Sequence, residues 1–153
     1  MSLKDRLAKA EPRTATHQLR VEDDAAARAE LDAARASGDK DRITASEADL
    51  QACYEPLALT AMSLPVWDDL LTKHQPSDEM RKLGRWCNPV TFLPAALVLC
   101  APDSGVEEDD WAEYITQGLM APGEAQALLE DLLMLHDRSP NSELPKGSTT
   151  TRS

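Results

Sequence analysis

Asn88-Pro89-Val90-Thr91-Phe92-Leu93-Pro94-Ala95-Ala96-Leu97-Val98-Leu99-Cys100-Ala101 is the longest apolar run of the chain, and it holds no charged residue. Asn88 can accept backbone hydrogen bonds as an N-cap, and Pro89 stands where a first helical residue tolerates proline. Pro94 lacks the N–H that a continuing helix would use. The run therefore predicts one short turn, a kink, and a second helical piece from Pro94 to about Ala101, closed by Pro102. Apolar residues face every direction on that second piece, which predicts burial on all sides. Crossing a bilayer takes ~20 apolar residues, more than this run has. The flanking segments are expected to cover it.

That cover can be read on both sides. Ser63 precedes a helix from Leu64 to about Lys73, with Val66, Trp67, Leu70 and Leu71 as its apolar stripe. His74-Gln75-Pro76 breaks it, and Ser77-Asp78-Glu79 opens a short helix ended by Gly84. After the run, Pro102-Asp103-Ser104-Gly105 is a turn cluster. Glu107-Glu108-Asp109-Asp110 places acids in a first helical turn, where the helix dipole favours them. Trp111, Tyr114, Ile115 and Leu119 mark the buried face of that helix. Pro122 begins a last helix with Ala125, Leu128, Leu129, Leu132 and Leu133 as a wide stripe.

Further out the composition changes. Glu22-Asp23-Asp24 leads into an alanine-rich helix from Ala25 to Ala36, ended by Gly38-Asp39. A second helix runs from about Asp41 to Tyr54 and is stopped by Pro56, which makes a helical hairpin. Its stripe is thin, since Leu31 is the only large aliphatic residue of the first helix. Such a hairpin packs on itself or waits for a partner. Residues 18–21 alternate polar and apolar and can form a short strand, although four residues cannot establish a period. Residues 57–62 can form another and pair with it. The fold class expected is mostly α, an N-terminal helical hairpin plus a small helical core, with that two-stranded β pairing. By region, the expectation is a flexible arm over 1–15, an acidic alanine-rich hairpin over 16–56, a compact helical core over 57–137 and a disordered tail over 138–153.

The chain has 153 residues, enough for one ordinary domain, and a net charge of −11. A phosphate backbone would be repelled by that field, so nucleic acid is not an expected partner. The field favours a basic protein partner or simply solubility. Cys53, Cys87 and Cys100 form no CxxC pair, and the first residues show no apolar signal core. Both point to a reducing, cytoplasmic setting, with no membrane segment and no lipidation signal.

No cofactor or metal site is expected. His74 with Cys87 and Cys100 lacks the closely paired ligands of a zinc site, and the same residues make a poor Cys–His nucleophile pair. The acidic run from Asp103 to Glu113 lacks the alternate oxygen ligands and central glycine of a calcium loop. The glycines are scattered, and no nucleophile-elbow, zincin or kinase motif is present. Trp67 and Trp111 are expected in the core, while Trp86 lies in a linker.

One ordered set of pieces resembles a known family. Leu64-Pro65-x-Trp67-x-x-Leu70 is followed by His74-x-Pro76, then by Asn88-Pro89-x-Thr91-Phe92-x-Pro94-Ala95-Ala96-Leu97. Trp111 comes after an acidic stretch, and Leu119 precedes Gly123-Glu124-Ala125-x-Ala127-Leu128. Their order and spacing, over about residues 57–134, resemble the small tail assembly chaperones of long-tailed phages (siphoviruses) infecting actinobacteria. The alanine-rich acidic hairpin resembles that family's front end. Gln75 departs from the pattern, where a second proline beside Pro76 is expected.

The resemblance implies a non-enzymatic viral protein of the host cytoplasm. It would bind the tape measure protein, keep its apolar helices soluble and present it for tail-tube assembly. It also implies a frameshift-extended form of the chain as a partner, made by slippage near Leu144-Pro145-Lys146. A homo-oligomer is left open. The alternative function is a structural virion or head–tail connector protein. The motif residues Trp67, Leu70, His74, Pro76, Asn88, Pro89, Phe92, Pro94, Leu97, Trp111 and Leu128 are expected to act structurally, with the binding surface in the hairpin and in grooves between the helices.

Overall fold

The computed structural model describes residues 1–137. The expected tail over 138–153 and the slippage site at Leu144-Pro145-Lys146 lie outside the described residues. In chain order the elements are α1 (Leu3–Ala8), β1 (Thr14–Arg20), α2 (Ala25–Ser37), α3 (Lys40–Gln51), β2 (Tyr54–Thr60) and α4 (Leu64–Lys73). Then come α5 (Asp78–Lys82), α6 (Pro89–Cys100), α7 (Glu108–Thr116) and α8 (Pro122–Asp137). The fold is mostly helical with one two-stranded antiparallel sheet.

The apolar run forms α6 as one continuous helix, not two pieces. Asn88 Oδ1 accepts from the Val90 N–H at 3.2 Å, and Pro89 takes the first turn. Pro94 removes a single hydrogen bond, the one that would reach the Val90 carbonyl. Val90 is 52% exposed, so water can serve that carbonyl and the helix continues. Burial on all sides is also corrected. Phe92, Leu93, Ala96, Leu97 and Cys100 have no exposed surface, but Leu99 is 49% exposed.

Cover comes from the expected directions. Trp67 and Leu70 of α4, Trp111 of α7, and Leu128, Leu129, Leu132 and Leu135 of α8 join the α6 residues in one buried cluster. Its densest part is aromatic. Phe92 meets Trp67 at 5.8 Å, Trp86 at 5.2 Å and His74 at 6.3 Å, each near-perpendicular. Such edge-to-face pairs contribute ~0.5–1.5 kcal/mol each beyond area burial. On its other side Trp67 stacks flat on His136, with ring centroids 4.1 Å apart.

The sheet closes one side of the core. Ala15, His17 and Leu19 point inward opposite Leu59, Leu57 and Glu55, while Thr16 and Gln18 point out. The strands are longer than expected, and their register puts residues 18–20 opposite 54–56. Pro56 therefore does not stop a helix, because α3 already ends at Gln51. Val21 N–H bonds the Cys53 carbonyl and Ala61 N–H bonds the Arg13 carbonyl, which makes the odd-numbered residues of β1 the hydrogen-bonded ones. Pro56, opposite Gln18, has its nitrogen facing away from β1. It blocks the outer edge of the ribbon without weakening the ladder.

α2 and α3 sit between the two strands as an inserted hairpin. Gly38 takes φ 71° to end α2, and Asp39 caps α3. Leu31, Ala34 and Ser46 are buried within the hairpin, and Arg42 bridges to Glu30 at 2.8 Å. The hairpin thus packs on itself, using small residues that let the helices approach. Strand β1 runs across the expected division after residue 15, and β2 across the one after residue 56. Within the N-terminal arm α1 forms, capped by Ser2 and Asp5.

His136 fixes the last turn of α8 to the chain after β2. Its Nε2 accepts the Met62 N–H at 2.9 Å, so its Nδ1 carries the proton and donates to the Leu132 carbonyl at 2.7 Å. Burial pushes the imidazole below its ordinary value, against the opposing effects of Leu132 and Asp137. A depressed histidine contributes stability that is complete above its unfolded value of ~6.5 and is lost as pH falls through the folded value.

Two measurements follow from this packing. Leu97→Ala should lower the unfolding free energy by about 2–5 kcal/mol in a urea melt, whereas Leu99→Ala should cost under ~1 kcal/mol. Stability measured from neutral to mildly acidic pH should fall, and His136→Phe should remove part of that fall; identical pH slopes would show that the fold does not hold the imidazole below its ordinary value.

Candidate partner-binding groove

Most motif residues are internal. Trp67 is 3% exposed, Leu70 6% and Trp111 3%, and Phe92, Leu97 and Leu128 have no exposed surface. Pro94 is buried as well, and Pro76 is half-buried. Asn88 caps α6, and its N–H bonds the His74 carbonyl at 2.9 Å, which ties the end of α4 to the start of α6. Pro89 occupies the first helical turn. These residues build one frame, in which His74 is half-buried against Phe92.

One open surface lies where β1 leaves the sheet. An open groove of about 540 Å³ runs between the end of β1 and α7. Its apolar lining is Leu19, Val21, Val106, Trp111, Tyr114 and Leu119. Val21 is 47% exposed and Leu119 53%, so the lining reaches the surface. Acidic residues Glu22, Asp23 and Asp110 stand along it. Behind Asp110, the first turn of α7 adds Glu108 and Asp109, preceded by Glu107. Asp110 accepts the Glu107 N–H at 3.1 Å and so caps the helix while carrying its charge.

Polar ties hold the walls in place. Arg20 Nε donates to Glu124 Oε2 at 2.8 Å, and its Nη2 donates to Glu124 Oε1 at 3.1 Å and to the Leu119 carbonyl. The hydrogen bond from Arg20 to Glu124 raises the guanidinium further above its ordinary value. Burial pushes the Glu124 carboxyl up, but the bonds from Arg20 and from the Ala121 N–H outweigh it and hold it below the usual range. Tyr114 donates its hydroxyl proton to the Arg20 carbonyl. Further along β1, His17 lies 2.6 Å from Asp131 of α8. The basic group nearest the groove is therefore already committed, and the acidic side chains dominate its field.

The groove residues were legible only in part. Leu119 reads as one step of the α7 stripe, but α7 ends at Thr116 and Gly118 takes φ 79°. A glycine in that conformation just past a helix is the signal that detaches Leu119 from the stripe. Val21 carries no such signal, because an exposed apolar residue after a strand is ordinary.

The cysteines do not form a reactive centre. All three are free and buried, and burial pushes the Cys87 and Cys100 thiols up to about 12. Among the described residues no cluster of three or more His, Cys, Asp or Glu side chains is placed to hold a metal ion. Among them, also, no helix is long and apolar enough to cross a membrane. No protein-family model, curated protein or solved structure matches this chain.

With a chromogenic disulfide reagent at mildly alkaline pH, Cys87 and Cys100 should react only at the rate of unfolding. Fast modification of either in the native protein would contradict the packing around α6.

Proposed function

We propose that the chain is a tail assembly chaperone of a long-tailed phage, which binds the tape measure protein in the host cytoplasm and keeps it soluble for tail-tube assembly. The observation that carries the reading is the open apolar groove with acidic residues along it. A tape measure protein is long and helical. Apolar stripes on it, left exposed before the tail tube encloses them, would aggregate in water. A groove lined by Leu19, Val21, Trp111 and Leu119 can take such a stripe in the manner of a helix-in-groove complex. Glu22, Asp23 and Asp110 select stripes flanked by lysine or arginine and repel acidic ones.

The ordered motif from Leu64 to Leu128 supports the same reading from the side of the sequence. Its residues form the frame that sets α7 against β1, and so shapes the groove. On this reading the chain performs no chemistry, and its strong negative charge keeps the loaded complex dispersed.

Co-expression with the tape measure protein should raise that protein's soluble fraction and co-purify the two. Val21→Glu/Leu119→Glu alters only half-exposed side chains, so its melting temperature should match the parent chain while client capture is lost. Failure of the parent chain to co-purify or to solubilise the client would overturn the proposal. Stoichiometric presence in purified particles would instead favour a virion or head–tail connector component.

A further inference from the structure

We propose that α1 of one copy seats its leucine face in the acid-lined groove of a second copy, so that the protein associates arm-to-groove. The inference stands on the arm and the groove themselves, and not on the identity of any client.

The arm is a helix without a surface. None of its residues is buried, with Leu3 72% exposed and Leu7 64%. Its local support is the Ser2–Asp5 capping box. Isolated helices shorter than ~12–15 residues are marginal in water, so a helix of this length draws its stability from docking.

Its faces are sorted by charge. At 100° per residue, Leu3 and Leu7 lie on one side of α1, with Lys4 and Arg6 flanking them to either hand. Asp5 falls on the opposite side, where its carboxylate is held by Ser2. The arm therefore offers two leucines between two cations. The groove offers apolar Leu19, Val21, Trp111 and Leu119 beside Glu22, Asp23 and Asp110. Shape class and sign match, and opposite charges at the margin set the orientation in which the leucines enter.

The arm cannot fill the groove of its own chain. Ala10 N–H still bonds the Leu7 carbonyl, and the Arg13 carbonyl is already fixed to the Ala61 N–H. The link between Ala10 and Arg13 spans about 11 Å at most. Strand β1 then carries the chain away from the arm by about 3.3 Å per residue, so Val21 lies about 26 Å beyond Arg13. Helix α1 adds about 1.5 Å per residue, so Leu7 stays within about 16 Å of Arg13 even with the link fully extended, and the two leucines cannot enter the groove of their own chain together; the occupant is another copy. Such a contact uses two different surfaces, so it closes by reciprocal arm exchange into a two-fold dimer, closes into a ring, or runs on as an open chain.

Sedimentation velocity of the purified full chain over a wide concentration range tests this without any client. The weight-average mass should rise above the monomer as concentration rises. Leu3→Glu/Leu7→Glu, which touches no buried residue, should weaken association by more than about tenfold with an unchanged melt. Glu22→Lys should weaken it at low salt, and by less at high salt. Under oxidation, Leu7→Cys/Leu119→Cys should form disulfides between chains. A monomer at every concentration, association that survives Leu3→Glu/Leu7→Glu, or disulfides solely within chains would each overturn the proposal. Client binding by the Leu3→Glu/Leu7→Glu variant reads the chaperone proposal alone, because that variant leaves its groove unchanged.

Discussion

Phe92 lies edge-on to Trp67, Trp86 and His74, and the rest of the core closes around the buried rings of Phe92 and Trp67. A helix as apolar as α6 cannot rest on a single neighbour. Its buried face must be closed by α4, α7 and α8 together, with a few apolar residues from α4 and α7 and a wide leucine stripe from α8. The aromatic contacts tie the turn before α6 and the end of α4 to the α6 helix, and the flat stack of Trp67 on His136 extends them to the end of α8. With few aromatic residues in the chain, concentrating them at one junction gives the core a defined geometry that leucines alone would specify less well.

The polar side of the molecule is organised from β1. Arg20 and His17 both reach across to α8, and Tyr114 reaches back from α7 to the Arg20 backbone. These ties pin the strand against two helices at different heights. Between them, the wall of α7 and the end of β1 diverge, and the groove is the space that results. Its acidity follows from helix design as much as from recognition. Acids in a first turn stabilise α7 through the helix dipole, and the same acids then stand beside the apolar lining.

The helical core was largely legible because its signals are local. Caps, breakers and stripes around Trp67, Trp111 and Leu128 mark their helices within a few residues. What could not be read locally depended on pairing across the chain. Pro56 looks like a helix stop until its register opposite Gln18 shows that its nitrogen faces outward. Pro94 looks like a kink until the exposure of Val90 shows that little is lost there. Leu119 looks buried until Gly118 takes it out of the helical course. The groove was missed for the same reason, since its two walls come from segments about ninety residues apart, and no spacing rule connects Val21 to Leu119.

The placement of the α2–α3 pair inside the ribbon bears on how the chain finds this fold. Pairing β1 with β2 directly would mean closing a long loop before any contact rewarded it. The two helices are joined by a tight Gly38-Asp39 turn and meet through contacts close in sequence, so they can assemble early. Once together, they bring Val21 and Glu22 beside the Cys53 carbonyl that both N–H groups share. The ribbon can then zip from that end toward Arg13 and Ala61. An insertion that contributes little to the main core in the finished molecule thus serves as the nucleus on which its only sheet among the described residues can form.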